Sequence, residues 1–498
     1  MDTKPDQSNL KETQLSTEPE ELISVTHHTA KINGKEISYT ASVGRMILKE
    51  EIYQKDGDKK DTFDGNKSRA AIFYVAYTLD NVKAESSRSL TFSFNGGPGS
   101  ASIWVHMGFL GPRRVELDQE GNPVSLPSSL KDNEFSILDM TDLVFIDPIG
   151  TGFSRAVEGN KEKDFFGYKA DIESVGEFIR RYVTENKRWA SKKYIAGESY
   201  GTTRSTGLAD YLSDKFGLYL NGIILISTAL DFMSLDFNPG NDLPYALYLP
   251  TYASDAWYHH KLSEKNQSRS LKDFLNEVCD FAGNEYLQAL FQGDRLSDSV
   301  KNHIAQKLSE YTGIRKEWIL EANLRIEQER FCKELMRDQR RTVGRLDGRY
   351  LGIDHDAAGE KTEDDPSSYQ VTGAFVGAFI DYVTRELGYS TDIPYRHSTD
   401  LWRNWDYKEF ENMYLQLQET LRKAMTRNKF MKVWVLDGYY DLATPFYAEE
   451  YVFSHLMLDS SLKENLTTTY YEAGHMMYLH EPSLKKFRSD AERFFKNS

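Results

Sequence analysis

A serine hydroxyl becomes a useful nucleophile only when a base takes its proton and nearby donors receive the charge that develops on the attacked carbonyl. Residues of those types stand at four places in this chain. Gly197-Glu198-Ser199-Tyr200-Gly201 is a Gly-x-Ser-x-Gly pentapeptide between a short apolar run, Lys193-Tyr194-Ile195-Ala196, and a helix-spaced stretch from Thr202. Such a strand-to-helix turn strains the serine backbone and so requires small neighbours. It also lifts the hydroxyl above the sheet and sets the next amides at a helix N-terminus. The pentapeptide alone could equally be an inert loop.

Asn95-Gly96-Gly97-Pro98-Gly99-Ser100 follows the apolar run Leu90–Phe94. Three glycines in five residues let backbone N–H groups face a ligand, as an oxyanion hole requires, although a plain tight turn would have the same composition. The spacing is not Gly-x-Gly-x-x-Gly, which excludes the dinucleotide fingerprint. Asp437 and Asp441 leave the end of the run Lys432–Leu436, and either could orient a histidine or merely cap a turn. His475 lies in the small-residue loop Glu472-Ala473-Gly474-His475-Met476 after Thr467–Tyr471. A lone histidine there would usually be structural. Serine, aspartate and histidine in that order, each after its own strand, follow the order of α/β-hydrolase triads.

The elements that must carry these residues read as a parallel sheet. Leu90–Phe94, Leu143–Ile146, Lys193–Ala196 and Gly222–Ser227 are short and apolar, and Asp171–Asn186 and Thr202–Phe216 are helical in spacing. Strands apolar on both faces and separated by helices indicate an α/β core. Before them, Thr29–Asp80 reads as an antiparallel β edge, with turn signals at Asp56-Gly57-Asp58 and Asp64-Gly65-Asn66. Residues 1–30 read as a disordered tail. Residues 236–395 are charged and helix-rich, with a flexible stretch at 354–368. The expected organisation is therefore a core of residues 31–235 and 396–498, interrupted by a helical cap at 236–395.

Composition narrows the function. The chain has 498 residues and a formal charge of −15, so a nucleic-acid partner is not expected. The basic cluster Arg337-Asp338-Gln339-Arg340-Arg341 reads as an ion-paired helix face. No run of about 18 apolar residues predicts a membrane span. The polar N-terminus reads as cytoplasmic, with a periplasmic or secreted location open if a signal peptide has been removed. Two cysteines, Cys279 and Cys332, could be one disulfide or two thiols, and cannot form a zinc ribbon. Asp354-His355-Asp356 has no matching cluster elsewhere and reads as solvated, so no metal or other cofactor is expected. His259-His260 reads as a packed or surface pair. The aromatic stretch Tyr245–Tyr258 would serve as a specificity wall or as a cap-to-core interface.

Taken together, Asn95-Gly96-Gly97-Pro98-Gly99, Asp147-Pro148-Ile149-Gly150-Thr151-Gly152-Phe153-Ser154, Gly197-Glu198-Ser199-Tyr200-Gly201, the Asp441 loop and Gly474-His475-Met476 resemble the serine carboxypeptidase family, from about residue 90 to the C-terminus. The resemblance implies an α/β-hydrolase fold with a mostly parallel central sheet. It also implies Ser199 as nucleophile, His475 as general base and then acid, and Asp441, rather than Asp437, as the residue that orients the histidine. Gly97 and Tyr200 would supply the oxyanion amides. Asn95, Gly96 and Glu198 would bind the free C-terminus of a peptide. A carboxylate beside Glu198 requires a proton between them, so peptidase activity is expected to rise toward acidic pH while ester and amide turnover persists near neutrality. One departure stands out. The family carries a second glutamate before Leu-Gly-Pro, where this chain reads Phe109-Leu110-Gly111-Pro112. The low cysteine content is similar to a bacterial-type branch. An esterase or acyltransferase with the same triad, and a non-enzymatic scaffold, are the competing expectations, and a homodimer is left open.

Overall fold

A computed structural model of the chain describes residues 20–54, 62–82 and 87–498. Its centre is one twisted sheet. In spatial order the strands are Ile23–Ile32, Lys35–Gln54, Thr62–Leu79, Asp142–Ile146, Leu90–Phe94, Lys193–Ser199, Gly222–Thr228, Lys432–Gly438 and Leu466–Tyr471. The first three and the junction to Asp142–Ile146 are antiparallel, and the remaining pairs are parallel. The expected mostly parallel α/β sheet with an antiparallel edge is what the chain builds.

Alternate residues of the central strands go to opposite faces, and both faces are covered. Ile224 and Ile226, with Trp434 and Leu436, belong to one apolar cluster. Ile223 and Leu225, with Val433 and Val435, belong to the other. Each such side chain withdrawn from water contributes about 1.5–3 kcal/mol, which is why these runs carry no polar alternation. The helices Tyr168–Glu185 and Tyr200–Phe216 cover the second face.

The structure corrects three sequence expectations. Residues 1–19 lie outside the described residues, but Ile23–Ile32 is not a tail: it pairs along its whole length with Lys35–Gly44. Its ladder rests on backbone hydrogen bonds and an alternating half-buried face, which low apolar content conceals. Asp64-Gly65-Asn66 is no turn, because it lies within the long strand Thr62–Leu79, where Gly65 takes φ +106°. The Asp56-Gly57-Asp58 signal falls outside the described residues.

The third difference concerns the segment 236–395. Helices Leu243–Tyr258, Leu271–Phe281, Asp298–Thr312 and Gln328–Glu334 share a separate apolar cluster that includes Tyr252, Phe274, Leu308 and Phe331. Helix Pro366–Asp381 does not join it. Its Val371, Phe375 and Phe379 pack with Trp104 and Phe145 in the sheet's own core. That helix is apolar on most of its circumference, as a helix buried in the core must be. Among the described residues, no helix is long and apolar enough to cross a membrane.

Candidate active site

The turn after strand Lys193–Ser199 is as sharp as the pentapeptide predicts. Ser199 has φ 59° and ψ −129°, a region that costs a non-glycine residue about 1–3 kcal/mol. Its neighbours must be glycine. A Cβ on Gly197 would lie 2.2 Å from the Gly201 carbonyl oxygen, and one on Gly96 would lie 2.4 Å from the Tyr200 nitrogen. The Asn95 loop therefore rests directly on the backbone of the turn. Gly97 adopts φ +105°, and Gly99, at φ +113°, is pinned by the Thr399 amide donating to its carbonyl at 2.9 Å. Helix Tyr200–Phe216 begins immediately after Ser199, so its first-turn N–H groups, lacking intrahelical acceptors, point toward the same space.

A buried ion pair that has no signature in the sequence, and the buried carboxyl of Asp147, brace this junction. Arg204 donates to Asp171 at 2.8 Å and to the Asn95 carbonyl at 2.7 Å. The pair is almost fully buried, at 1% and 2% side-chain exposure, so the arginine ties helix, turn and glycine loop into one unit. Asp147, from the second glycine-containing motif, accepts from the Ser102 amide at 2.8 Å. Burial pushes its carboxyl up to about 7, and Gly152 must be glycine because a Cβ there would overlap the Asp147 carboxyl.

His475 and Asp441 meet as expected. His475 Nδ1 lies 2.6 Å from Asp441 Oδ2. Asp441 is fixed by the amides of Ala443 and Thr444 at 2.8 and 3.0 Å and by the Thr444 hydroxyl at 2.7 Å. Burial opposes charge on His475, but the Asp441 carboxylate outweighs it and holds the imidazole above its ordinary value, with Glu198 adding in the same direction. Asp437 does not contact His475. It is buried beside Glu449, and burial, foremost, pushes both carboxyls well upward, with Asp441 adding to the rise of Asp437 and Asp437 to that of Glu449. The sequence alone left the two aspartates level; the hydrogen bond separates them.

The helical segment also reaches the site. The His475 amide donates to the Leu346 carbonyl at 2.6 Å, and the Gly474 amide to Asp347 Oδ2 at 3.0 Å. Leu442 donates to the Arg345 carbonyl at 3.1 Å, and Gly348 to the Tyr440 carbonyl at 2.9 Å. The short stretch 345–348 thus straps together the two loops that carry Asp441 and His475. No motif announces it, because the bonds are made largely by backbone.

Ser199, Glu198, Asn95, Gly97, Tyr200 and His475 all line one cavity of about 870 Å³. Ser199 and His475 share its wall without a hydrogen bond between them, a contact that commonly tightens only around bound substrate. Asn95 Nδ2 donates to Glu198 Oε1 at 2.7 Å, and Asn95 Oδ1 accepts from the Val105 amide at 3.1 Å. Glu198 is 4% exposed; burial, foremost, pushes its carboxyl up to about 7. Phe109 does not reach the cavity. It is fully buried and stacked on Tyr478.

These motifs have a counterpart in known proteins. The family model of serine carboxypeptidases matches residues 62–481. The chain belongs to the serine carboxypeptidase family. Two curated relatives from Arabidopsis thaliana are serine carboxypeptidase-like 36, 28% identical over 167 residues, and serine carboxypeptidase-like 38, 29% identical over 225 residues. Those alignments cover 32% and 43% of this chain and 33% and 40% of the relatives, so the matched stretches span well under half of their length. Among solved structures, the prohormone-processing carboxypeptidase Kex1 of Saccharomyces cerevisiae aligns over 93% of this chain and 91% of its own, with a TM-score of 0.55 and 17% identity. At that identity the likeness establishes the α/β-hydrolase fold of this family member.

The other residues that the sequence singles out are placed as follows. Among the described residues no group of histidine, cysteine or acidic side chains could hold a metal ion. Asp354 instead pairs with Lys333. His259 is packed, its Nε2 2.7 Å from the Gly348 carbonyl oxygen. Cys279 and Cys332 are free thiols. Of the aromatic stretch Tyr245–Tyr258, Tyr248 lines the cavity, whereas Tyr252 stacks on Phe331 inside the helical cluster. Trp104, His397 and Trp402, which sequence reading passed over, also line it.

Proposed function

We propose that this protein is a serine carboxypeptidase that releases the C-terminal residue of peptides through an acyl-enzyme. Ser199 attacks the last peptide carbonyl as His475 takes its proton. The developing oxyanion is received by the amides of Gly97 and Tyr200. His475 then passes its proton to the departing amino acid, and a water repeats the sequence to free the shortened peptide. Asp441 holds His475 in the tautomer that this requires and stabilises the imidazolium.

The observation that carries the carboxypeptidase reading is the Asn95–Glu198 pair at the cavity wall. A buried carboxyl one residue from the nucleophile, held up to about 7 and hydrogen-bonded through one oxygen only, is suited to a ligand that arrives with its own negative charge. Protonated Glu198 donates to the substrate carboxylate, whereas ionised Glu198 repels it. Peptide turnover is therefore favoured below about pH 7, and ester turnover, which needs no carboxylate contact, is not so limited.

The buried Phe109 favours a second reading, an esterase or acyltransferase using the same triad, because it leaves Glu198 without a second carboxyl partner. A library of peptides differing in the C-terminal residue, digested at several pH values and read by mass spectrometry, separates the two. The carboxypeptidase reading expects loss of one C-terminal residue at a time, fastest between the acidic limb of His475 and the alkaline limb of Glu198 and falling steeply above about pH 7. Intact free peptides alongside rapid ester hydrolysis would overturn it.

A further inference from the structure

Behind the cavity wall, two buried polar atoms face each other without partners. Glu198 Oε1 is satisfied by Asn95, but Oε2 makes no hydrogen bond of standard geometry, and neither does the hydroxyl of Tyr478. Yet that hydroxyl is directed at both Glu198 and Asn95. Unpaired buried polar atoms are rare and costly, so two in mutual reach beside a catalytic serine call for a physical account.

The ring that carries the hydroxyl is tightly seated. Tyr478 is 1% exposed and stacks on Phe109 with centroids 4.9 Å apart and planes 17° apart. Phe109 leans in turn on Phe487 at 4.3 Å, and Phe487 stacks on Trp434 in the central sheet at 5.6 Å. On the other side Gly108 makes room for the ring, since a Cβ there would lie 2.8 Å from Tyr478 Cε2. Tyr478 also follows His475 by three residues, in the short turn Met477–Leu479, so the strap that fixes the histidine loop fixes the tyrosine too.

We propose that Tyr478 is a positioning residue for carboxylate recognition, its hydroxyl serving as the second donor to Glu198 and setting the pH at which Glu198 holds the proton that a peptide C-terminus requires. This rests on the carboxypeptidase reading above. Phe109 then has a function of its own: it buttresses the phenol that serves Glu198. The groups that face Glu198 are His475, Asp441 and Tyr478, with Arg345 facing His475 from the helical segment. His475 and Tyr478 favour the ionised carboxylate; Asp441 opposes it.

The sign of the effect follows. A hydroxyl that donates to the ionised form lowers the pH at which the proton leaves. Removing it lets Glu198 keep its proton longer. For Tyr478→Phe, the alkaline limb of kcat/KM against pH for a peptide substrate moves upward by about one pH unit. The profile for an ester substrate does not shift. A ring-fluorinated tyrosine at position 478, a stronger donor of nearly the same shape, moves the peptide limb the opposite way. Tyr478→Phe also retains its melting temperature at about pH 5, where Glu198 keeps its proton and no ionised oxygen depends on the hydroxyl. Glu198→Gln, measured in parallel, separates the two levels of the argument. If Glu198→Gln abolishes the peptide limb while both Tyr478 replacements leave it in place, the positioning role is refuted and the carboxypeptidase reading stands. If Glu198→Gln leaves the limb intact, the reading on which the proposal rests is itself overturned.

Discussion

Replacing Glu198 with glutamine should erase the pH dependence that distinguishes peptide from ester turnover. In the wild type the carboxyl sits at about 7, raised first by burial and moderated by His475, Tyr478 and Asn95. A group with that value is half protonated at pH 7 and about 1% protonated at pH 9, so peptide kcat/KM should fall about 50-fold across that interval. Glutamine stays neutral throughout and still donates a hydrogen bond, so the variant should lack the fall and overtake the wild type above pH 8. The acidic limb belongs to His475, which must be neutral to act as base and is held above its ordinary value by Asp441. Because His475 and Glu198 interact, the limbs report the pair rather than either residue. An imidazolium with a carboxylate and a neutral imidazole with a carboxyl hold the same number of protons, but only the second form binds a peptide C-terminus and activates Ser199. The assay is kcat/KM from pH 4.5 to 9 for a blocked dipeptide and its methyl ester. Retention of the wild-type alkaline limb in Glu198→Gln, or the same limb with the ester, would refute the reasoning.

Further predictions address the machinery and its frame. A fluorophosphonate probe should label Ser199 in the wild type but not Ser199→Ala or His475→Ala, and Asp441→Asn should lower kcat by about four orders of magnitude, since the histidine loses its orienting acceptor. Asp347→Ala removes the acceptor of the Gly474 amide and leaves the buried Arg349 with only the exposed Glu120, 3.6 Å away. It should cost about 3 kcal/mol in urea unfolding and depress kcat more than it raises KM. Asp437 and Glu449 are raised in the folded state, so that state binds more protons than the unfolded one, and stability should decline as pH rises from about 4. Asp437→Asn should flatten that decline in melting temperature between pH 4 and 8; a profile parallel to the wild type would contradict it.

Much of this site was legible in the sequence because its geometry demands particular residue types. Gly96, Gly97, Gly197 and Gly201 occupy positions where backbone meets backbone, and Ser199, Asp441 and His475 each follow a strand whose apolar letters mark it as buried. What stayed hidden relies on contacts without a local signature. Arg204 and Asp171 look like ordinary helix charges until folding places them in a dry interior. The strap at 345–348 works through carbonyls and amides that any sequence possesses. Helix Pro366–Asp381 reads as part of the cap from its letters but packs in the sheet's core, since an apolar helix suits either. Phe109 was visible as a departure, but its stacking on Tyr478 depends on residues far apart in the chain. The strand Ile23–Ile32 was missed because its stability comes from pairing rather than apolar content.

The most direct test of the central claim is the rate of cleavage of one peptide presented with a free and with an amidated C-terminus, measured at pH 5.5 with the release of the last residue followed by mass spectrometry. The account predicts that the free peptide loses its C-terminal residue at least about 100-fold faster, because only it can share the Glu198 proton. Equal rates for the two peptides, or release of the amidated residue alone, would contradict it.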